Sequence, residues 1–189
     1  MQRLIAIASF ASALAVATSG CLPPLPSVSR DSPQLRLAPA LLGRTLNLQQ
    51  HLTLQAPGGH QELDVLLEAD ERHVQMAVVA MGQVAARLDW DGTTLTEDKA
   101  PWWPPSVSGS RILSDLQLTL WPVAAIQAAL PAGWAIAEAG DVRTLTQDGA
   151  VVAVITRASP LVVELDQRRD HFKLKIESRD LGDAPVPAS

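Results

Sequence analysis

Residues 46–55 read LNLQQHLTLQ, and this stretch decides the fold class of the chain. Apolar and polar residues alternate along it at a period of two, which is typical of a β-strand with one buried face. Gln50 interrupts the apolar face in the middle of the strand. The apolar positions are Leu46, Leu48, Leu52 and Leu54.

The same alternation continues downstream through four more predicted strands, which are joined by short turns. These strands span residues 62–69, 74–80, 84–90 and 93–97. The turns contain Pro57-Gly58-Gly59, Asp70-Glu71-Arg72, Met81-Gly82-Gln83 and the hairpin signal Asp91-Gly92. Five consecutive strands with short connections predict an antiparallel meander.

The period changes to that of a helix in the centre of the chain. Residues 100–109 hold three prolines around Trp102-Trp103 and predict an irregular loop. Residues 110–121 predict a helix with Ser110 as its N-cap and Ile112, Leu113, Leu116 and Leu120 at helical spacing. Pro122 ends or kinks this helix, and residues 123–130 predict a second, shorter one.

Strands resume after the helices, and a second hairpin signal occurs at Asp148-Gly149. The predicted strands span residues 134–139, 142–147, 150–156, 161–165 and 172–177. This order predicts an α+β, mainly β fold, in which a curved antiparallel sheet or half-open barrel is covered by the central helical insertion.

The first twenty residues are typical of a bacterial lipoprotein signal peptide. Arg3 gives a short positive region, and residues 4–17 form an apolar run too short to span a bilayer. Thr18-Ser19-Gly20-Cys21 resembles a lipobox, although Leu is more common than Thr at the first position. Cys21 is the single cysteine of the chain, so we expect it to carry the lipid anchor.

The residue after Cys21 indicates the destination. Leu22 stands where lipoproteins of the inner membrane usually carry Asp, which favours the periplasmic face of the outer membrane. Residues 21–39 are rich in proline and serine and predict a tether. We expect a single domain over residues 40–179, followed by a disordered tail over residues 180–189.

Composition argues against several classes of function. The net charge is −5 and Arg168-Arg169 is the largest basic cluster, so nucleic-acid binding is not expected. Hydrophobic residues make up 47% of the chain but aromatic residues only 4%, which suits an aliphatic ligand better than stacked rings.

No catalytic, metal or cofactor motif is recognisable, so we expect a protein that is not an enzyme. The four histidines, His51, His60, His73 and His171, are scattered singly and are interpreted as surface or edge residues. Glu62, Asp64 and Glu68 share one face of a strand, which we interpret as its solvated outer face. Met76 and Met81 are interpreted as core and turn residues.

Trp102 and Trp103 allow two interpretations. Two adjacent indoles flanked by prolines can form the lip of an apolar cavity or a membrane-interface contact. Alternatively, they cap one end of the hydrophobic core. Trp121-Pro122 is interpreted as structural, since it lies at the junction between the two helices.

The chain resembles the outer-membrane lipoproteins of the DUF3261 type, found in gene clusters for aryl polyene lipids. The segment Asp115-Leu116-Gln117-Leu118-Thr119-Leu120-Trp121-Pro122 and the proline-rich loop before it carry this resemblance. The early L-x-L-x-Q strand and the Asp91-Gly92 hairpin add to it. That family is similar in architecture to the LolA and LolB lipoprotein carriers, whose half-open barrel holds acyl chains under a helical lid.

The resemblance implies a periplasm-facing lipoprotein that binds or transfers a lipid or a lipidated partner. The competing hypothesis is an accessory lipoprotein with a filled core that docks onto another envelope protein. Under the first hypothesis, the predicted ligand-binding residues are Leu46, Leu48, Leu52, Leu54, Val65, Leu67, Met76, Val78, Leu88, Trp102, Trp103, Leu113 and Leu116.

Overall fold

The computed structural model describes residues 32–105 and 107–182. Within these residues, ten strands form one sheet and two α-helices lie between the fifth and sixth strands. The strands are β1 Leu46–Ala56, β2 Gly59–Ala69, β3 Val74–Ala80, β4 Gln83–Trp90, β5 Leu95–Lys99, β6 Trp134–Ala139, β7 Val142–Gln147, β8 Ala150–Ser159, β9 Val162–Gln167 and β10 Phe172–Asp180. The helices are α1 Gly109–Leu120 and α2 Val123–Ala129, and a 3-10 turn spans Pro39–Leu42.

The sheet is open and antiparallel throughout, in the order β5-β4-β3-β2-β1-β10-β9-β8-β7-β6. Each half is a meander of five strands, and the two halves meet where β1 pairs with β10, from Leu48 opposite Asp180 to Gln55 opposite Lys173. β5 and β6 lie at opposite edges, so α1 and α2 connect the two edges of the sheet. The mainly β prediction with a central helical insertion is therefore confirmed, as an open sheet.

The strand termini differ from prediction where side chains or long-range pairing determine them. β5 begins at Leu95 rather than at residue 93, because Asp91 Oδ1 accepts the N–H groups of Thr93 and Thr94 in the turn. β8 and β9 extend to Ser159 and Gln167 rather than to residues 156 and 165. β10 continues to Asp180 rather than to residue 177, because its last residues still pair with β1.

One β-bulge changes which face of β4 is buried. Val78 pairs with Ala86 but Val79 pairs with Val84, so Ala85 is an extra residue in β4. Ala85 and Ala86 are both buried, and Val84 is exposed. The alternation predicted for residues 84–90 would bury Val84 together with Ala86, and this prediction is wrong at Val84.

Helix α1 begins at Gly109, and its N-cap lies two residues before the predicted one. Its N-cap is Ser108, whose Oγ accepts the Arg111 N–H, and the Gly109 N–H donates to Glu97 Oε2 at 2.6 Å. Ser110 lies inside the first turn, where its Oγ accepts a hydrogen bond from Arg36. The predicted N-cap was wrong because the contact with β5 sets the start of the helix.

The break between the helices lies where it was predicted. Trp121 is extended, with φ −74° and ψ 155°, and caps the C-terminus of α1. Pro122 then precedes the first residue of α2. The Trp121 side chain is fully buried, in agreement with a structural role.

The packed domain begins before residue 40, its predicted first residue. Leu35 and Leu37 are buried beside α1, and their backbone N–H groups donate to Ser114 Oγ and Gln117 Oε1. Pro39 and Leu42 are also buried, in the 3-10 turn. Residues 33–39 are therefore part of the folded domain rather than a free tether.

The chain ends differently from prediction as well, since Asp180 belongs to β10 and the Leu181 N–H donates to Asn47 O. Residues 1–31, with the predicted signal peptide and Cys21, lie outside the described residues, as do residues 183–189.

Candidate functional site

An apolar cavity of about 300 Å³ lies between α1 and the central strands of the sheet. This volume is within the range of small-molecule binding sites in proteins. Helix α1 contributes Ile112, Leu116 and Leu120, which recur at the spacing of one helix face. The strands contribute Leu46, Leu48, Leu52, Leu54, Leu63, Val65, Met76, Val78, Val163, Leu165, Phe172, Leu174 and Ile176, and the loop before α1 contributes Trp103 and Val107.

The cavity walls are continuous across the four central strands because their inward residues are direct cross-strand neighbours. Leu52 lies opposite Leu63 on one side and opposite Ile176 on the other. Leu54 pairs with Leu174, which in turn pairs with Leu165. These pairs form one aliphatic surface from β2 to β9.

Side-chain burial differs between the centre of the sheet and its outer strands. Away from the centre, large side chains such as Trp90, Leu145 and Ile155 are fully buried. On the central strands, inward-facing Leu52, Leu54, Leu63, Leu174 and Ile176 are only half-buried although they point away from the outer face. Their remaining exposed surface is cavity wall.

The structure brings most of the predicted ligand-binding residues together in this cavity. Those that line it are Leu46, Leu48, Leu52, Leu54, Val65, Met76, Val78, Trp103 and Leu116. Leu67, Leu88 and Leu113 do not line it, because they are buried in the packed core. Trp102 lies at the surface, with 39% of its area exposed, and Cys21 lies outside the described residues.

The two adjacent tryptophans therefore have different environments. Trp103 is buried, its indole Nε1 donates to Val107 O at 3.1 Å, and it contributes to the cavity wall. Trp102 is exposed and is not part of the wall. The core-capping interpretation is therefore wrong for Trp102, and only Trp103 contributes to the cavity, whereas contact of Trp102 with a membrane stays a prediction.

Gln50 was predicted to interrupt the apolar face of β1, and in the structure its side chain has a hydrogen-bond partner. The residue is buried, and its Nε2 donates to Ser178 Oγ at 3.0 Å across the β1–β10 pair. Both residues line the cavity. The hydrogen bond satisfies a polar group at the junction of the two halves of the sheet.

Sequence reasoning missed the contribution of β9 and β10. The alternation of Phe172, Leu174 and Ile176 identified a strand with one apolar face. However, only the pairing of β10 with β1, more than 100 residues away in sequence, places that face in the cavity.

A buried polar cluster, made of Arg111, Asp115, Gln167 and Asp170, was also missed. Arg111 Nε donates to Asp115 Oδ2 at 2.7 Å, and Gln167 Nε2 donates to Asp115 Oδ1 at 3.1 Å. Arg111 Nη2 lies 3.3 Å from Asp170 Oδ2. Arg111 and Asp115 border the cavity, whereas Gln167 and Asp170 do not.

Burial dominates the electrostatics of this cluster. It raises the pKa of the Asp115 carboxyl, and the attraction of Arg111 and the hydrogen bonds from Arg111 and Gln167 only partly oppose it. The negative charge of Asp170 adds to the upward shift. The cluster therefore joins one guanidinium to two carboxylates in a poorly solvated place.

All four histidines are exposed, His51 and His60 on strands and His73 and His171 in turns. Glu62, Asp64 and Glu68 are exposed, as predicted. His51 Nδ1 lies 3.0 Å from Asp64 Oδ1, and His73 Nδ1 lies 3.0 Å from Asp89 Oδ1. His51 and His73 thus each have a carboxylate partner on an exposed surface. Over residues 32–105 and 107–182, no group of three or more potential ligands is placed to hold a metal ion.

Together, the fold and the site define a mainly β domain with a helix-covered apolar cavity. The chain belongs to the family described as "Protein of unknown function (DUF3261)", whose model matches residues 47–180. This confirms the family resemblance seen in the sequence, and the match runs from β1 to the end of β10. A comparison with curated proteins finds no match. In the part of the chain that the structure describes, no helix is both long and apolar enough to cross a membrane.

Proposed function

We propose that this protein binds an acyl chain, from a lipid or a lipidated partner, and transfers it at the periplasmic face of the outer membrane. The observation that carries the proposal is the apolar cavity between α1 and the central strands. The competing hypothesis of an accessory lipoprotein with a filled core does not require such a space.

The chemistry of the cavity walls suits a saturated chain. Burial of apolar surface contributes about 25 cal/mol per Å² and has no directional requirement. Each methylene group of an acyl chain that enters such a site contributes about 0.8 kcal/mol. Leucine, valine and isoleucine supply most of the wall, so neither ring stacking nor a particular head group is needed to hold the chain.

The predicted lipid anchor would place the cavity near a membrane. Cys21 precedes the first described residue, Ser32, by eleven residues, and a chain of this length spans at most about 40 Å. The anchor would therefore keep the cavity within reach of the bilayer that delivers or receives the acyl chain.

A cavity-filling substitution tests the proposal. We would prepare the mature chain, residues 21–189, with Cys21→Ser, remove bound lipid by unfolding and refolding, and titrate it with a pyrenyl alkane. Leu63→Trp places an indole in the cavity from β2, and we expect it to weaken binding about tenfold or more.

The matched control is Leu66→Trp, on the same strand but on the outer face, where Leu66 is 47% exposed. This variant is expected to bind the probe as the parent chain does. The proposal fails if the parent chain does not bind the alkane, or if both tryptophan variants bind it equally well.

A further inference from the structure

Arg111 is a buried charged residue in the wall of the mainly apolar cavity. It is 8% exposed, and neither Nη1 nor Nη2 has a hydrogen-bond partner within the described residues, although Nη2 lies 3.3 Å from Asp170 Oδ2. A buried N–H donor without a partner is unfavourable, and native proteins generally satisfy such groups. An acceptor atom on a ligand in the adjacent cavity would satisfy this donor if the surrounding side chains moved slightly to admit it.

The cluster around Arg111 holds the guanidinium in position. Nε donates to Asp115, Nη2 faces Asp170, and Gln167 holds Asp115 from the other side. These contacts lie on three elements, which are α1, β9 and the turn after β9. A guanidinium held in this way loses little further rotamer entropy when it binds a ligand.

Charge limits what the acceptor can be. The guanidinium already faces the carboxylates of Asp115 and Asp170, so a carboxylate or phosphate on the ligand would add a third negative group at a poorly solvated site. A neutral carbonyl oxygen accepts the same hydrogen bond without that repulsion. Arg44 also borders the cavity, but it is exposed, so water solvates its charge.

We propose that Arg111 Nη1 donates a hydrogen bond to the neutral carbonyl oxygen of an ester- or amide-linked acyl chain, so that the cavity takes esterified or amidated chains in preference to free fatty-acid anions. This inference rests on the proposed function, because it assigns the polar end of the same ligand. The ester represents a glycerolipid and the amide represents an acylated protein, and both present the same acceptor.

Competition against the pyrenyl alkane tests the inference with the same refolded chain. Four competitors are compared at neutral pH: methyl palmitate, N-methyl palmitamide, palmitate and hexadecane. We expect the ester or the amide to bind about tenfold more tightly than palmitate, and the stronger of the two identifies the source of the chain.

Two substitutions connect this preference to Arg111. Arg111→Met removes the donor, and Arg111→Lys keeps a positive charge near Asp115 and Asp170 but lacks the guanidinium fork. The parent chain should also bind the ester or the amide more tightly than hexadecane. In both variants this advantage should fall to about one, while hexadecane still binds. Arg87→Lys, on the exposed outer face of β4, is the control and should keep the preference.

The outcomes separate the two proposals. If the alkane probe binds but palmitate competes as well as its methyl ester, the inference is wrong and the proposed function stands. The same conclusion follows if Arg111→Lys retains the full preference for the ester over hexadecane. If neither the probe nor any competitor binds, the proposed function itself is wrong, and the inference with it.

Discussion

The side-chain amide of Gln117 pairs with the backbone of Leu37 through two hydrogen bonds. The Leu37 N–H donates to Gln117 Oε1 at 3.0 Å, and Gln117 Nε2 donates to Leu37 O at 2.9 Å. Gln117 is fully buried on α1, and Leu37 lies 80 residues earlier in the chain. The pair thus fastens the N-terminal segment, residues 33–42, to the helix that covers the cavity.

Replacement of this amide should destabilise the domain. In Gln117→Leu the Leu37 N–H loses its partner, whereas Leu37 O keeps the hydrogen bond from Trp90 Nε1. One buried, unsatisfied N–H costs about 1–3 kcal/mol, so we expect the free energy of unfolding to fall by about 2 kcal/mol in urea denaturation. Gln34→Leu, exposed on the same segment, is the control and should change it little. Equal effects of the two substitutions would contradict a specific role for the pair.

A chain that begins at residue 40 should be much less stable than one that begins at residue 32. The shorter chain lacks Leu35 and Leu37, which are 2% and 5% exposed, and burial of each contributes about 1.5–3 kcal/mol. It also leaves Ser114 and Gln117 without their backbone partners. Denaturant unfolding of the two chains measures the difference.

Single substitutions give an independent check of the same point. Leu35→Ala should reproduce part of the loss, whereas Leu41→Ala, at an exposed leucine of the 3-10 turn, should have little effect. If the chain from residue 40 unfolds at the same denaturant concentration as the longer chain, the segment contributes nothing to stability.

Arg143 should stabilise the C-terminal end of α1. Its Nη1 donates to the carbonyl groups of Leu118, Thr119 and Trp121, and its Nε is paired with Glu138. Burial lowers the pKa of Arg143 from its usual value, although the hydrogen bond to Glu138 opposes this shift. A cation at a helix C-terminus also interacts favourably with the helix dipole.

We expect Arg143→Met to lower the free energy of unfolding by about 3 kcal/mol, because several buried carbonyls lose their donor together. Arg157→Met removes a half-buried arginine 3.5 Å from the same Glu138, and it should cost less than about 1 kcal/mol. Thermal and urea unfolding of the two variants compare them directly. Similar losses would mean that the ion pair, rather than the carbonyl contacts, gives Arg143 its effect.

The two histidine–aspartate pairs predict a weak pH dependence of stability. The hydrogen bond with Asp64 raises the pKa of His51 above 6.5, and the hydrogen bond with Asp89 raises that of His73. A raised histidine pKa stabilises the fold fully below pH 6.5, and this contribution is lost as pH rises through the folded-state pKa. Conversely, the hydrogen bond with His73 lowers the pKa of Asp89 below 3.8, so its contribution is lost in acid.

The stability of the parent chain should therefore fall slightly as pH rises from about 6 to about 8, and the double variant His51→Gln, His73→Gln should lack this fall. Both pairs are exposed, so added salt should reduce the difference. His60→Gln, at an exposed histidine outside both pairs, is the control. An unchanged pH slope in the double variant would count against the pairs as its source.

Much of the secondary structure could be predicted from local patterns. The alternation in residues 46–55 identified β1, and the hairpin signals Asp91-Gly92 and Asp148-Gly149 both lie between paired strands. Trp121-Pro122 separates α1 from α2 as expected. These features depend on residues that are close in sequence, since strand periodicity, turn geometry and the missing proline N–H act over a few residues.

Other local predictions failed where a distant residue decided the outcome. Ser108 rather than Ser110 caps α1 because Gly109 contacts Glu97, and Val84 is exposed because of the bulge between β3 and β4. Residues 21–39 are rich in proline and serine, yet residues 33–39 pack on α1 through Leu35 and Leu37. Composition reports how a segment behaves alone, and it does not report the surface that the segment meets.

The sequence by itself determined the strands, the helical insertion and the inward-facing leucines of β1. Only the tertiary structure decided that β1 pairs with β10, that the leucines of the two strands share one cavity, and that Arg111 of its wall meets Asp170. Periodicity shows which face of a strand avoids water, but it cannot show whether that face meets another side chain or an open space. That distinction depends on the distance between α1 and the sheet, which the pairing of the two halves sets.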